Sequence, residues 1–340
     1  MQLPWSFRRK PKHHKRILIG VTVIVILLFT SSLYLYTSGE WEVFFNIFQH
    51  AYFQLQYKPP QAAASKIDVL TVPSNTLQVD KEMRVYLPPG YDASQDRYPV
   101  LYLLHGDPGD SQDWLVDTNL QQVLDDKIAQ KLLPPLIVVF PDGNGPVVKD
   151  SQYLDVPAQK MESYIVNDVR TFIDGKYRTL TASKYRAIGG VSSGAFGALN
   201  IAVHHPDLYH VVILHSPYAK PVGQSKAPLI GNNAALMKLN SPIEQLPRTA
   251  SASSLAIYID AGDQDFAFIT TDYNSLVKAF TTNHLNFQSG LISGAHGWGT
   301  WRVAILKSLD YLGQQWLNLL IKPSLSPSSK SVLKALEFKK

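Results

Sequence analysis

The sequence predicts an α/β fold in which helices cover both faces of a doubly wound, mostly parallel sheet. Two observations support this fold class. Short apolar runs rich in β-branched residues alternate along the chain with longer segments of helical periodicity. The chain also has 340 residues, of which 45% are hydrophobic and 11% aromatic, so it can bury a large core. No internal repeat is visible, and we expect one main domain with extensions at both ends.

Eight strands and five helices are expected in this domain. The strands are predicted at residues 67–72, 79–87, 100–104, 136–140, 186–190, 211–214, 255–260 and 287–292. The helices are predicted at residues 120–131, 161–177, 193–204, 271–282 and 301–320. In sheets of this kind ligands bind beyond the carboxyl ends of the strands, so functional residues are sought there.

The net positive charge of the chain comes from its N-terminus. Residues 1–16 contain six Lys and Arg residues and no acid, and the whole chain has a formal net charge of +5. The remainder carries 26 basic and 27 acidic residues and is about neutral. A nucleic-acid partner is therefore not expected, and residues 1–16 are predicted to be a basic cytoplasmic tail. The absence of cysteine excludes disulfides, thiol nucleophiles and cysteine-ligated metals.

Residues 17–36 form an uncharged run of twenty residues directly after the basic tail. A helix of that length spans the roughly 30 Å core of a bilayer. The positive-inside rule then places the N-terminus in the cytoplasm and the rest of the chain outside. We therefore expect a transmembrane signal anchor and a single-pass protein of the cell membrane. The alternative is a cleaved signal peptide and a secreted protein.

Residues 37–65 are predicted to be a juxtamembrane helix and linker. Five aromatic residues share one helical face, namely Trp41, Phe44, Phe45, Phe48 and Tyr52. This face lies at the membrane interface or, alternatively, packs on the main domain. Pro59 and Pro60 end the helix, so the main domain is expected at 66–321. Residues 322–340 are rich in Ser, Pro and Lys and are predicted to be a flexible tail.

The segment from Gly190 to Gly194 matches the pattern G-x-S-x-G between a predicted strand and a predicted helix. This strand–turn–helix context predicts a nucleophile elbow, in which Ser192 stands exposed on a strained turn and glycines fit on either side. The alternative is an ordinary Gly/Ser turn at a helix N-terminus. The elbow reading predicts an α/β-hydrolase fold with Ser192 as nucleophile.

A serine nucleophile needs an imidazole base that is oriented by a carboxylate. This fold supplies them in the order Ser, then Asp or Glu, then His. An acidic turn with Asp263 and Asp265 follows the predicted strand 255–260, and spacing alone does not choose between the two. Only His284 and His296 follow that turn, and His284 ends a helical pattern. His296, in a glycine-flanked loop after a strand, is therefore the predicted base.

Acyl transfer also needs two backbone N–H groups that stabilise the oxyanion. The first should be the amide of Ser193, directly after the nucleophile. The second should come from the glycine turn after strand 100–104, where Asp107 N–H is predicted and Gly106 is the alternative. Side chains and backbone amides can perform all of this chemistry, so no cofactor or metal is implied.

The chain resembles the esterase D, feruloyl esterase and mycolyltransferase group of α/β-hydrolases between about residues 83 and 312. The matching stretches are VYLPPGY at 85–91, PVLYLLHG at 99–106, PDG at 141–143, RAIGGVSSG at 186–194, HPD at 205–207, GDQD at 262–265 and HGWGTW at 296–301. The resemblance implies Asp265 as the triad acid. This chain differs from the group directly after the nucleophile, where it has Ser193-Gly194-Ala195 and the group usually has Met-Gly-Gly.

Three functions are compatible with these residues. The first is hydrolysis of a carboxylic ester through an acyl-enzyme. The second is acyl transfer of the mycolyltransferase type to a lipid or sugar of the cell envelope. His105 favours hydrolysis, since the mycolyltransferases tend to carry an acid there. The third is a non-catalytic surface module, which the complete triad disfavours.

Substrate choice is expected to lie in a possible cap at residues 217–247. Its apolar residues either line an acyl pocket or pack the cap onto the sheet; they are Tyr218, Leu229, Ile230, Leu236, Met237 and Leu239.

Overall fold

A single eight-stranded sheet organises the part of the chain that the computed structural model describes, residues 65–222, 229–248 and 254–321. These residues belong to the second of two units into which the chain divides, Tyr52–Lys340. The predicted basic tail 1–16, membrane span 17–36, most of the juxtamembrane segment 37–65 and the tail 322–340 lie outside the described residues. Among the helices described, none is both long and apolar enough to cross a bilayer.

The strands of the main sheet follow the order β1-β2-β4-β3-β7-β8-β9-β10. They are β1 (Lys66–Ser74), β2 (Val79–Leu87), β3 (Val100–Leu104), β4 (Ile137–Pro141), β7 (Arg186–Val191), β8 (Val211–His215), β9 (Ala256–Gly262) and β10 (Asn286–Ile292). A separate small hairpin consists of β5 (Asp155–Val156) and β6 (Gln159–Lys160). Strand β2 pairs antiparallel with β1 and β4, and all other pairs in the main sheet are parallel. The predicted mostly parallel sheet is confirmed.

Helices and turns connect these strands. They are α1 (Asp113–Thr118), α2 (Leu120–Ala129), α3 (Met161–Ser163), α4 (Arg170–Lys176), α5 (Ser193–His204), α6 (Ala234–Leu239), α7 (Pro242–Gln245), α8 (Ala267–Thr282) and α9 (Trp298–Ile321). A π-helical segment, Tyr164–Val169, joins α3 to α4, so the continuous helix predicted at 161–177 is interrupted. Helices α1, α6 and α7 were not predicted, and α8 and α9 begin four and three residues earlier than predicted.

Apolar side chains pack on both faces of the sheet. Along β3, Val100, Tyr102 and Leu104 belong to one buried cluster, whereas Leu101 and Leu103 belong to another. Because successive side chains of a strand point to opposite faces, the two clusters are the two sides of the sheet. Helix α5 packs on the first side and α9 on the second. This double coverage explains why the central strands read as continuous apolar runs.

The described part of the possible cap joins the first of these cores. Tyr218 and Ile230 are buried in it, and Leu229, Leu236 and Met237 pack against it half-buried. Leu239 is instead 51% exposed. The packing alternative therefore accounts for five of the six apolar residues that the sequence singled out.

Candidate active site

Ser192 occupies the turn between β7 and α5, at the carboxyl edge of the sheet. Its backbone has φ 51° and ψ −118°, a conformation that costs free energy for any residue with a Cβ atom. The N–H of Ser192 donates to the carbonyl oxygen of His215 at 2.9 Å, which fastens the turn to β8. The turn thus holds the hydroxyl at the N-terminal end of α5, as the G-x-S-x-G pattern predicts.

Close packing explains the two glycines of that pattern. A Cβ atom on Gly190 would lie 2.6 Å from the carbonyl carbon of Gly194. A Cβ atom on Gly194 would lie 2.4 Å from the carbonyl oxygen of His105, at the end of β3. Any side chain at either position would therefore push α5 away from the sheet. The glycines bring the first turn of α5 against the β3 loop.

The three residues predicted for the triad form one hydrogen-bonded chain. His296 Nε2 lies 3.0 Å from Ser192 Oγ, and His296 Nδ1 lies 2.7 Å from Asp265 Oδ1. Ser192 and His296 are 104 positions apart in sequence, so the sheet topology brings them together. The arrangement lets His296 take a proton from the serine hydroxyl while Asp265 fixes its orientation.

Asp265 is held by four donors. Oδ1 accepts from His296 and from the N–H of Phe266 at 2.8 Å. Oδ2 accepts from Ser216 Oγ at 2.6 Å and from the N–H of Gly262 at 3.3 Å. Burial by itself would raise the pKa of Asp265, but the hydrogen bonds and the His296 charge outweigh it and lower the pKa. The carboxylate is therefore ionised at neutral pH.

Asp263, the alternative acid by spacing, has a different partner. Its Oδ1 accepts from the N–H of Gly294 at 2.9 Å and fastens the loop that carries His296. Gly294 has φ 136°, which a residue with a side chain rarely adopts. The geometry therefore joins Asp265, and not Asp263, to the imidazole.

Two aromatic rings flank the imidazole of His296. Its centroid lies 4.8 Å from that of Phe266 and 4.9 Å from that of Trp301, whose ring stands edge-on at 84°. The His296 side chain keeps 11% of its surface exposed, and the Asp265 side chain keeps none. Solvent thus reaches the base but not the acid behind it.

One small polar pocket is lined by Gly106, Asp107 and Ser193, the residue directly after the nucleophile. A Cβ atom on Gly106 would lie 3.5 Å from that of Ser192, so the backbone after β3 runs alongside the serine. Burial and the carboxylate of Asp150 raise the pKa of Asp107 to about 6, and His105 offsets this only in part. The residues predicted to supply the oxyanion donors therefore line the same pocket.

His105 supports this loop from inside the protein. It is buried, its Nε2 accepts from the N–H of Gly143 at 2.8 Å, and its Nδ1 donates to the carbonyl oxygen of Gly106 at 2.7 Å. Tyr153 donates its hydroxyl to the carbonyl oxygen of His105 at 3.0 Å. In the sequence His105 serves only as a family marker, and no local pattern there indicates this structural role.

The sequence also did not single out Ser216, although it follows β8 at the sheet edge where ligands are expected. Its Oγ accepts from the indole N–H of Trp301 at 3.0 Å.

The described residues contain no group of three His, Cys, Asp or Glu side chains arranged to hold a metal ion.

Comparison with known proteins gives related sequences and folds. An uncharacterized protein of Corynebacterium glutamicum is 27% identical over 246 residues, which is 69% of this chain and 57% of that protein. An "Endo-1,4-beta-xylanase/feruloyl esterase" of Xylanibacter ruminicola is 30% identical over 129 residues, 37% of this chain and 18% of that protein. This chain therefore spans little more than half of the first relative and a smaller part of the second.

Solved structures with the same fold include a ferulic acid esterase with a TM-score of 0.68 and 26% identity, covering 75% of this chain and all of that one. An S-formylglutathione hydrolase from Staphylococcus aureus has a TM-score of 0.62 and 19% identity, and it covers 73% of this chain and 99% of that one. The latter similarity concerns the fold alone.

The family described as "Putative esterase" matches residues 74–312, which include all the site residues above. The match confirms the family that the sequence blocks resembled and supports the prediction of a carboxylic ester hydrolase. With the hydrolase fold of its structural neighbours and a family match over most of the described domain, the chain belongs to the esterase family of α/β-hydrolases.

Proposed function

We propose that the protein hydrolyses carboxylic esters through a covalent acyl-enzyme on Ser192. The observation that carries the proposal is the chain Ser192 Oγ–His296 Nε2 at 3.0 Å and His296 Nδ1–Asp265 Oδ1 at 2.7 Å, built on a strained turn. A serine hydroxyl becomes an effective nucleophile only when such a base takes its proton during attack. The third reading, a non-catalytic module, does not explain a complete and connected triad.

The reaction would proceed in two halves. Ser192 Oγ attacks the ester carbonyl carbon while His296 Nε2 accepts the hydroxyl proton, and a tetrahedral oxyanion forms. The oxyanion collapses, His296 protonates the departing alcohol, and the acyl group stays bonded to Ser192. Water then attacks the acyl carbon, His296 accepts its proton, and the carboxylic acid leaves as the serine hydroxyl is restored. No cofactor is needed for either half.

Two backbone amides would stabilise the oxyanion, those of Ser193 and Asp107, with Gly106 as the alternative second donor. Ser193 is at the N-terminus of α5, where helix N–H groups point outward and favour negative charge. The support for this assignment is that these residues line one pocket next to Ser192.

The test is ester hydrolysis by residues 62–340, assayed with p-nitrophenyl acetate and butyrate. We expect turnover that falls about 10⁴-fold or more in Ser192→Ala and fluorophosphonate labelling that is lost in the same variant. Ser275→Ala, on α8, is the matched control and should keep both. No turnover and no labelling of the wild type would refute the proposal.

The same assay separates hydrolysis from acyl transfer. Water and an alcohol attack the acyl-enzyme with the same help from His296, so the triad alone does not choose between them. We expect added glycerol or trehalose to leave the yield of free carboxylic acid unchanged. A new ester formed in place of the acid would favour transfer to a cell-envelope lipid or sugar.

Esters with an apolar or aromatic acyl group are the proposed substrates. The Phe266 ring contacts the His296 ring in a tilted arrangement, with centroids 4.8 Å apart. Phe268 stacks on Phe266 at 5.8 Å while remaining 50% exposed. These rings offer an apolar surface beside the base. The names of the relatives, feruloyl and ferulic acid esterases, point the same way. With methyl ferulate we expect Phe268→Ala to raise KM several-fold and to change kcat little.

The proposed site of action is the outer side of the cell membrane. Residues 17–36 would anchor the chain, residues 1–16 would stay in the cytoplasm, and the hydrolase domain would face outward. The support for this topology is the uncharged run and the basic cluster before it. The alternative is secretion after signal cleavage.

A further inference from the structure

Two polar side chains stand behind the acid of the triad. Ser216 follows β8 and donates from Oγ to Asp265 Oδ2 at 2.6 Å, and Trp301, in the first turn of α9, donates its indole N–H to the same Ser216 Oγ at 3.0 Å. We propose that Ser216, oriented by Trp301, positions Asp265 and through it His296. The inference rests on the proposed role of His296 as the base.

The direction of these hydrogen bonds is fixed by chemistry. An indole nitrogen can only donate, so Ser216 Oγ accepts from Trp301, and its own proton is left for Asp265. An ionised carboxylate can only accept, and the lowered pKa of Asp265 is consistent with this bond. The chain therefore runs in one direction, from Trp301 through Ser216 to Asp265.

Ser216 supplies the shorter of the two hydrogen bonds to Asp265 Oδ2. Without its hydroxyl, Asp265 Oδ2 would keep only the 3.3 Å contact from the N–H of Gly262. The terminal torsion of an aspartate is broad and weakly restrained by itself. A carboxylate held firmly through one oxygen would turn about the bonds to His296 and Phe266, and the imidazole would lose its fixed orientation towards Ser192.

The backbone of Ser216 indicates that the hydroxyl is placed at a cost. Ser216 has φ 51° and is buried, and its N–H donates to the carbonyl oxygen of Asp260 at 2.8 Å. Glycine adopts this conformation without strain, whereas serine does not. Serine is therefore less favourable than glycine for backbone stability at this position. We infer that its hydroxyl is the group with a role there.

Trp301 contacts both Ser216 and His296. Its ring stands edge-on to His296 with centroids 4.9 Å apart, while its N–H reaches Ser216. Phenylalanine would keep most of the ring contact and lose the donor. Trp316, lower on the same helix, provides a matched control, since it is buried and donates its indole N–H to the carbonyl oxygen of Lys184 at 3.2 Å.

The kinetic test compares Ser216→Gly, Trp301→Phe, the double variant and Trp316→Phe. We expect Ser216→Gly to lower kcat about 10- to 100-fold, as for other small misplacements of a catalytic group. Its KM for p-nitrophenyl acetate should stay unchanged. Its urea unfolding midpoint should not fall. Trp301→Phe should lower kcat less, and the double variant should be no slower than Ser216→Gly because both changes act on one chain. Trp316→Phe should keep the wild-type kcat.

A second readout does not depend on any substrate. In protein labelled with ¹⁵N-histidine, the His296 Nδ1 proton that faces Asp265 should exchange slowly with water in the wild type and faster in Ser216→Gly and Trp301→Phe. If the wild type hydrolysed no ester, the proposed function would fail while this measurement would still test the positioning. Unchanged exchange and unchanged kcat in Ser216→Gly, or losses that simply multiply in the double variant, would overturn the inference.

Discussion

At the scale of single residues, the two aspartates after β9 have separate tasks. Asp265 holds His296, and Asp263 holds the backbone of Gly294 in the loop that carries His296. We expect Asp265→Ala to lower kcat by about 10³- to 10⁴-fold, since the imidazole then loses its tautomer and orientation. Asp263→Ala removes one loop hydrogen bond and should cost less than about 10-fold. The measurement is kcat with p-nitrophenyl acetate for both variants.

The prediction is that Asp265→Ala loses more kcat than Asp263→Ala. Equal losses would mean that Asp263 takes over from Asp265 when Asp265 is absent, or that the loop conformation limits the rate as strongly as the acid does. A larger loss in Asp263→Ala would contradict the assignment of Asp265.

The raised pKa of Asp107 leads us to expect that activity depends on pH. Its pKa of about 6 means that the carboxyl group is neutral in mild acid and negative at pH 8, on the pocket where the oxyanion would form. A negative charge there opposes the oxyanion by about 1 kcal/mol in a hydrated site. Asp107→Asn should therefore raise kcat/KM about 3- to 5-fold at pH 8 and leave it unchanged at pH 5. A decrease at pH 8 would show that the carboxylate binds the substrate instead.

The sequence predicts the triad because its chemistry leaves few choices. The order of the three residue types is fixed by the fold, and elimination leaves one histidine. The choice between Asp263 and Asp265 needed a family resemblance, because both lie in one turn. The hydroxyl of Ser216 could not be predicted, since its partners Asp265 and Trp301 are 49 and 85 positions away and no local pattern marks them.

At the scale of elements, the contact between β3 and α5 depends on Gly194. A Cβ atom there would meet backbone atoms at 2.4 to 2.8 Å, which cannot move as a flexible side chain can. We expect Gly194→Ala to lower the free energy of unfolding by about 3 kcal/mol through overpacking. Labelling of Ser192 by a fluorophosphonate should also be lost, because the turn would shift.

Gly175 in α4 is the matched control, since a Cβ atom there meets nothing within 4 Å. Gly175→Ala should raise the free energy of unfolding by about 0.5 to 1 kcal/mol, the usual gain for alanine over glycine in a helix. Urea unfolding measures both variants. A Gly194→Ala protein as stable as the wild type would mean that the β3 loop can retreat without loss.

A partly buried cluster of Glu162 and two histidines joins α3 to the end of α5. Glu162 lies 2.9 Å from His204 Nδ1 and 2.8 Å from His205 Nε2. Burial would raise the pKa of Glu162, but its hydrogen bonds to the two histidines lower it. For His204, burial would lower the pKa, and the bond to Glu162 raises it above 6.5 instead. The Glu162 contribution to stability is lost only in acid, below about pH 4.5, and the His204 contribution is lost as the pH rises above 6.5.

Both contributions are therefore present between pH 4.5 and 6.5. We expect Glu162→Gln to lower the free energy of unfolding by about 2 kcal/mol at pH 5.5 and by less at pH 8.5, because the His204 contribution is lost as the pH rises above 6.5. Glu244→Gln, at an exposed position, should change it by less than about 0.5 kcal/mol. Equal losses at the two pH values would show that the cluster acts through neutral hydrogen bonds.

The strands were more predictable than the helix starts. Each of the eight predicted strands is present within two residues. The five central strands are buried on both faces, so each is a dense apolar run with clear ends. Helix α1 has only six residues, too few for periodicity to stand out. The first turns of α8 and α9 were missed because neither begins with a strong capping residue that marks the start.

At the scale of the whole described domain, the register of the parallel strands assembles the site. Leu104 of β3 pairs with Gly190, Gly190 with Leu214, and His215 with Asp260, so these strands end at nearly the same level. Ser192, Ser216 and Asp265 follow β7, β8 and β9, respectively, and His296 follows β10. A slip of one residue in any pair would reverse the faces of a strand and separate these groups. The apolar core on both faces therefore specifies the active-site geometry as well as the fold.

The first sixty residues should determine where the full chain is found in the cell. We expect the intact 38.0 kDa protein to remain with membranes after alkaline carbonate extraction, since about twenty apolar residues in a bilayer are not released by changes in charge. A protein that lacks residues 1–61 should appear in the soluble fraction and hydrolyse water-soluble esters with the same kcat/KM. Protease added to intact cells should degrade the hydrolase domain of the full chain, because in the proposed topology the basic residues 1–16 would hold the N-terminus inside.

The length of the recovered protein separates the two predicted topologies. An anchored chain keeps residues 1–36, so N-terminal peptides from this region should be found by mass spectrometry in the membrane fraction. A cleaved chain would lack them and would leave the cell. A full-length protein that washes off with carbonate would contradict both topologies, because neither an inserted helix nor a removed one allows that result. Anchoring would also confine the proposed esterase activity to substrates that reach the outer surface of the membrane.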